Sequence, residues 1–283
     1  MSSFDVSSNG GASLSSPLVS VAFAAYGHEN YIEETMLSVF LQTYDRLELV
    51  IVDDRSKDAT FEVAQALAAQ NWFRDRFESV TIVQNERNLG AHASINRAMA
   101  LSRGDYISLL NSDDSYVSTR IEKLVAACRL SGAECAFTGV LPIDDKGKPI
   151  RSGNLAESIV YNPLRSADNL PSLSCGFLRF QLTSSSGNLF LSRRLSQKIG
   201  GFIDLRYCHD WDYMMRLISV AEPYFIEEPL YRYRLHDRNS FRSLAGVAEV
   251  ESEIVLRRYY LGILLGKVRN RRAPSPHNWP GVF

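Results

Sequence analysis

Four short apolar runs, each ending abruptly in polar residues and each followed by a helical repeat, constrain this chain more than any other feature. Residues 18–24 lie between Pro17 and Gly27, residues 47–52 stop at Asp53-Asp54, and residues 80–83 and 106–110 repeat the beat. Runs this short and this continuously apolar suit strands buried on both faces. Between and after them, residues 31–43, 60–69, 91–102 and 119–130 read as helices. In the first, Ile32, Met36, Val39 and Phe40 recur at helical spacing, with Glu33 and Glu34 in the first turn, where the helix dipole favours them. This alternation predicts an α/β fold whose mostly parallel sheet is covered by helices on both faces.

Sheets of that kind bind ligands beyond the carboxyl ends of their strands. Polar clusters stand at those ends here: Tyr26-Gly27, Asp53-Asp54 and Asn111-Ser112-Asp113-Asp114. After about residue 139 the alternation gives way to Gly-, Ser-, Asn- and Pro-rich sequence through residue 187, broken by an aromatic stretch at 177–180. Order returns with a strand at 189–191, a helix over 210–220, short strands at 224–227 and 231–235, and a C-terminal helix from 247.

With 283 residues, 45% of them hydrophobic, the chain can bury a substantial core as one domain. Its 31 basic and 32 acidic residues leave a net charge of -1, so no global field draws nucleic acid. Cys128, Cys135, Cys175 and Cys208 lack the paired spacing of a zinc site and read as reduced thiols of a cytoplasmic protein. No apolar run is long enough to span a membrane, and residues 1–16, rich in Ser and Gly, read as a flexible leader.

The segment that ends at Asn111-Ser112-Asp113-Asp114 is the most informative chemically, because an apolar strand there delivers hard oxygen ligands. Oxygen suits magnesium or manganese, which take one or two protein carboxylates and leave the remaining positions to water and phosphate. An Asx-turn capping the next helix is the plain alternative. No Gly-rich phosphate loop of the dinucleotide-binding or Walker type is present, which argues against a dehydrogenase or a nucleoside triphosphatase.

Further segments, in order and spacing, resemble the family 2 glycosyltransferases. They are Val19-Ser-Val-Ala-Phe-Ala-Ala-Tyr26, Gln42-Thr43-Tyr44, Val52-Asp53-Asp54 with Ser56, Asp58 and Thr60, Asn88-Leu-Gly90 with Asn96, and Gly104 through Asp114. The resemblance resumes at Gly200-Gly-Phe202, His209-Asp210-Trp211-Asp212 and Tyr231-Arg-Tyr-Arg-Leu-His236, and covers roughly residues 18–240. It implies a GT-A (Rossmann-like) mostly parallel sheet flanked by helices, with a C-terminal helical extension. Residues 17–240 would then be the catalytic domain, 17–115 binding a nucleotide-sugar donor and 116–240 an acceptor, with 241–283 forming a C-terminal helix and tail.

The resemblance also implies site residues. Ala24 and Tyr26 would line the base pocket, with Asp54 and Asp53 accepting from a uracil or thymine imide. Asn88, Gly90, Asn96, Asn111 and Ser112 would complete the donor site. Asp113 corresponds to the metal-binding carboxylate of the family's Asp-x-Asp element, and Asn111 replaces the first Asp, which removes one negative charge. His236 would be a further ligand to a divalent manganese or magnesium ion. Asp210 would be the base of an inverting transfer, although Asp just before a helical repeat is also a common N-cap. His209, Trp211, Gly187 and Asn188 would face the acceptor, a glycan or a lipid-linked molecule; Trp211 also fits a core position. Arg232, Arg234 and Arg238 would clamp phosphate or form surface ion pairs. Ala24 and Gly27 depart from the family's usual Pro and Asn.

Residues 257–272 are basic and apolar without an acidic residue, which fits either peripheral contact with the inner face of an anionic membrane or a helix packed on the domain or in a homodimer. Two other functions compete: nucleotidyl transfer that forms a sugar nucleotide, and a non-catalytic nucleotide-binding module of the same fold.

Overall fold

The apolar runs all form strands, but only three are central; the one at 80–83 lies half-buried at the edge of the sheet, where a second neighbour is lacking among the described strands. A computed structural model describes residues 16–151, 153, 170–237, 239 and 245–280. Most of the leader, Arg238 and the end of the tail lie outside them. The first half runs β1 (Val19–Ala25), α1 (Ile32–Phe40), β2 (Leu47–Asp53), α2 (Thr60–Ala68), α3 (Asn71–Arg74), β3 (Ser79–Gln84), α4 (Ala91–Leu101), β4 (Tyr106–Leu109) and β5 (Ser115–Tyr116). The second runs α5 (Arg120–Ser131), β6 (Cys135–Ile143), α6 (Leu173–Phe177), β7 (Phe190–Ser192), α7 (Arg193–Ile199), α8 (His209–Ile218), β8 (Tyr224–Arg234) and α9 (Ala245–Leu264).

The described strands form one eight-stranded sheet, ordered β3-β2-β1-β4-β7-β6-β8-β5. β1 to β4 are parallel, with Ala25 opposite Asp53 and Asp53 opposite Gln84. That register brings the loops after β1, β2, β3 and β4 to one edge of the sheet. β7 is antiparallel to both neighbours and β5 is antiparallel to β8, so the sheet is parallel where the sequence alternates most regularly. Residues of β1 alternate between two cores. Val19, Val21 and Phe23 join Ile32, Met36 and Ile121 on one side, while Ala22 joins Ile95, Met99, Tyr213 and Met214 on the other.

Two corrections apply to the second half. The strands expected at 224–227 and 231–235 are a single strand, β8, parallel to β6, with the register shifting around Gly139. A Cβ at Gly139 would lie 2.3 Å from the Glu227 carbonyl oxygen, so the irregularity requires glycine there. β6 itself begins before the irregular region expected from residue 139 and continues into it.

Candidate active site

His28, Asp113 and His236 converge at the carboxyl edge of the sheet. His236 Nε2 lies 3.0 Å and His28 Nε2 3.7 Å from Asp113 Oδ2. One ligand atom from each lies within 4.8 Å of the others, so the trio fits a small cation. Two imidazoles and a carboxylate form a mixed nitrogen and oxygen set, which suits manganese better than magnesium, a cation of oxygen cages.

Each member is held in place. The loop carrying His28 turns at Gly27, whose φ of +73° is left-handed. Gly27 N donates to Ser56 Oγ at 3.1 Å and His28 N to Thr60 Oγ1 at 2.8 Å. His28 Nδ1 lies 2.8 Å from Ser112 Oγ, a contact that directs the other ring nitrogen at Asp113. His236 stacks on Tyr31 at 5.2 Å, and its backbone N donates to Asn239 Oδ1 at 2.6 Å.

The two adjacent carboxyls behave oppositely. Burial opposes ionisation of Asp113, but His28 and His236 outweigh it and hold the carboxyl below its usual range. Burial and the neighbouring Asp113 push Asp114 well above that range. Asp114 accepts from Arg234 N at 2.8 Å, from Asn111 Nδ2 at 3.0 Å and from the Tyr231 hydroxyl. It braces β8 against the loop that carries Asp113. Arg234, expected among phosphate clamps, is fully buried, donates through Nε to the Asp113 carbonyl at 2.7 Å and pairs with Glu34. Arg232 is half-buried on β8, opposite Ser115.

The donor-side residues gather at the same edge, but several are already occupied. Tyr26 is 43% exposed just beyond β1 and follows the half-buried Ala24. Asp53 is buried and accepts from Ser56 N and Gln84 Nε2, both at 2.9 Å. Asp54, expected to meet the base, instead accepts from Leu89 N and Gly90 N at 2.8 Å and from Asn85 Nδ2 at 2.7 Å. Its carboxylate anchors the 88–90 loop, and Asn88 Nδ2 donates to the Asp54 carbonyl at 3.2 Å. Gly90, at φ +88°, turns the chain into α4. The Asn96 amide exchanges two bonds with the Phe202 backbone, at 2.7 and 2.8 Å. Asn111 bridges Asp114 to Ser185 and Ser186.

On the acceptor side, Asp210 opens α8 half-buried, with one oxygen accepting from Trp211 N at 2.7 Å. His209 packs edge-on to Phe202, and its Nδ1 is buried without a hydrogen-bond partner among the described residues. Three residues expected to face the acceptor make structural contacts. Trp211 Nε1 donates to the Phe177 carbonyl at 2.6 Å, tying α8 to α6. Asn188 is fully buried, its amide donating to the Thr138 and Thr183 carbonyls at 2.8 and 3.1 Å. Gly187 is buried where a Cβ would lie 2.1 Å from the Tyr231 hydroxyl oxygen.

Burial, then the carboxylates of Asp114 and Asp113, with a smaller contribution from Asp210, push the Tyr233 phenol well up. His28 escaped sequence reasoning, which followed Tyr26 to Asp113 and passed over a lone loop histidine. The available signal was its place, directly between a strand end and a helix, where the other polar clusters also stand.

The chain belongs to the glycosyl transferase family 2, whose model matches residues 20–186. Among relatives, it is 31% identical over 147 residues to a Bacillus subtilis protein whose name assigns it to teichuronic acid biosynthesis, glycosyltransferase TuaG. That match covers 52% of this chain and 56% of TuaG, so the chain spans about half of that relative's length. Its structure is similar to S. aureus TarS 1-349 in complex with UDP-GlcNAc, with a TM-score of 0.59 and 16% identity over 86% of this chain and 71% of TarS 1-349. It is also similar to the mannosyltransferase PcManGT from Pyrobaculum calidifontis in complex with GDP-Man and Mn2+, at 0.57 and 15% over 92% and 77%. The fold is therefore GT-A, a curled, mostly parallel sheet with flanking helices.

Proposed function

We propose that this chain is an inverting transferase that moves a sugar from a UDP or dTDP donor to the hydroxyl of a glycan or lipid-linked acceptor in cell-surface polysaccharide synthesis. The observation that carries the reading is the convergence of His28, Asp113 and His236 at the strand edge. The three would hold a divalent ion, which when bound neutralises charge on a departing diphosphate. Tyr26 and the loop anchored by Asp54 would enclose the base. The UDP-GlcNAc bound to TarS 1-349 supports a uridine donor, and the name of TuaG supports a polysaccharide acceptor.

Asp210 has one carboxylate oxygen free of partners among the described residues. In the reaction the acceptor oxygen bonds to the anomeric carbon, the bond from that carbon to the diphosphate breaks on the opposite face, and Asp210 takes the acceptor proton. A base of this kind must come within about 2.6–3.2 Å of the hydroxyl. The testing experiment measures nucleoside diphosphate release across a panel of donors and acceptors with manganese present. Asp210→Asn should bind nucleotide as the parent does and lose transfer, and normal turnover by that variant would reject the assignment.

A further inference from the structure

Helix α9 carries apolar side chains on two opposite faces. Val255 and Tyr259 enter the core beside Tyr213 and Met214. Val250, Ile254, Leu261 and Leu264 recur at the same helical spacing on the other face, and Leu265 follows them. All five are exposed, Leu261 by 54% and Leu264 by 83%. An outward stripe of this kind has no use in a core, and large exposed apolar patches mark binding surfaces.

The charge beside the stripe selects its partner. From Ile254 to Phe283 the chain has no Asp or Glu, and it carries Arg257, Arg258, Lys267, Arg269, Arg271 and Arg272. Arg257 pairs with Glu253 and Arg258 with Asp212. Lys267, Arg269, Arg271 and Arg272 are exposed, and their side chains have no partner among the described residues. The backbone between them is nonetheless held in place. Gly266, at φ +65°, ends the helix, and Asn270 then pins the segment by donating to the Ile218 carbonyl at 2.9 Å and to Glu222 at 3.1 Å. The backbone that carries the four cations is thus fixed in the segment that follows Leu264 and Leu265.

We propose that this surface docks on an anionic lipid bilayer, with the leucines entering the headgroup boundary and the four cations facing acidic headgroups. A second copy fits poorly, because an isologous contact would set the unpaired cations against one another. A nucleic acid would engage the cations but leave the leucines exposed. No helix among the described residues is long and apolar enough to cross a membrane, so the contact is peripheral. Docking would also bring the site close to the surface. Glu251, one turn before Val255 on the same helix, accepts from Arg206 N, Tyr207 N and Cys208 N at 2.8 Å each, immediately ahead of Asp210.

The test is flotation of the full chain with vesicles of phosphatidylcholine alone and with phosphatidylglycerol added. Binding is expected to the anionic vesicles only and to weaken as salt is raised. Lys267→Glu with Arg271→Glu should weaken it by at least about tenfold. Leu261→Ser with Leu264→Ser should also release the protein, and both variants, being changes of exposed side chains, should keep the parent Tm and nucleotide binding. Equal binding to neutral vesicles, no binding to either, or full binding by the charge-reversed variant would overturn the proposal. So would a dimer that the leucine variant dissolves without any vesicle binding by the parent, or retention of RNA in place of vesicles.

Discussion

Asp54 and Asp113 each follow a strand at the same edge, yet their carboxylates do different work. Asp54 accepts from two backbone N–H groups and one amide and shapes a loop, whereas Asp113 has two imidazole nitrogens for neighbours. Residue order revealed which polar groups reach the site; it could not reveal which atoms are already spent. Asn96 and Asn188 make the same point, since an amide that exchanges bonds with a distant backbone looks in sequence like one waiting for a ligand. His28 is the opposite case, a ring nitrogen turned to Asp113 from a loop whose register depends on Ser56 and Thr60. If it is a ligand, His28→Ala should weaken manganese binding by roughly tenfold or more. Titration calorimetry with the ion alone reads this directly, and an unchanged affinity would leave Asp113 and His236 as the protein's whole contribution. Gly187→Ala tests packing instead. Its Cβ would collide with Tyr231 and Asn111 N, so a loss of about 1–3 kcal/mol is expected in denaturant unfolding.

Helix α9 buttresses α8 through one carboxylate. Burial pushes Glu251 up, but the N–H groups of Cys208, Arg206 and Tyr207 outweigh it and hold the carboxyl below its usual range. A depressed carboxyl contributes stability above its unfolded pKa and loses it as pH falls through the folded one. Glu251→Gln should therefore cost roughly 1–3 kcal/mol at neutral pH. The gap in Tm from the parent should close in acid, below the ordinary carboxylate range, and a gap constant with pH would mean the charge is irrelevant. At this scale the legible elements were those with strong local patterns. β1, β2 and β4 are continuous apolar runs, and α1 and α8 show clear periodicity. β6 was not legible, because Gly139 and Pro142 read as loop residues when the sheet that demands a bulge there is out of view. β8 looked like two strands for a related reason, since Pro229 interrupts a run that only pairing with β6 makes continuous.

At the scale of the whole molecule, one sheet brings residues 123 positions apart, Asp113 and His236, into contact. Donor binding and transfer should separate cleanly by mutation. On the proposed reading, manganese with UDP should stabilise the folded chain by mass action, by about 2.7 kcal/mol when the ligand stands at a hundred times its Kd. For a protein of this length that is a rise in Tm of roughly 5–10 °C. Asp113→Asn removes a charge from the cation site, so the part of the rise that depends on manganese should vanish, and chelator should no longer change its Tm in the presence of UDP. Asp210→Asn leaves that site intact, so its full rise should persist while transfer is lost. The pair discriminates because either variant alone could fail for an unrelated reason, whereas opposite behaviour in binding and turnover cannot arise from general destabilisation. Equal loss of the manganese increment in both would mean that Asp210 belongs to the cation site, and the proton would then need another acceptor.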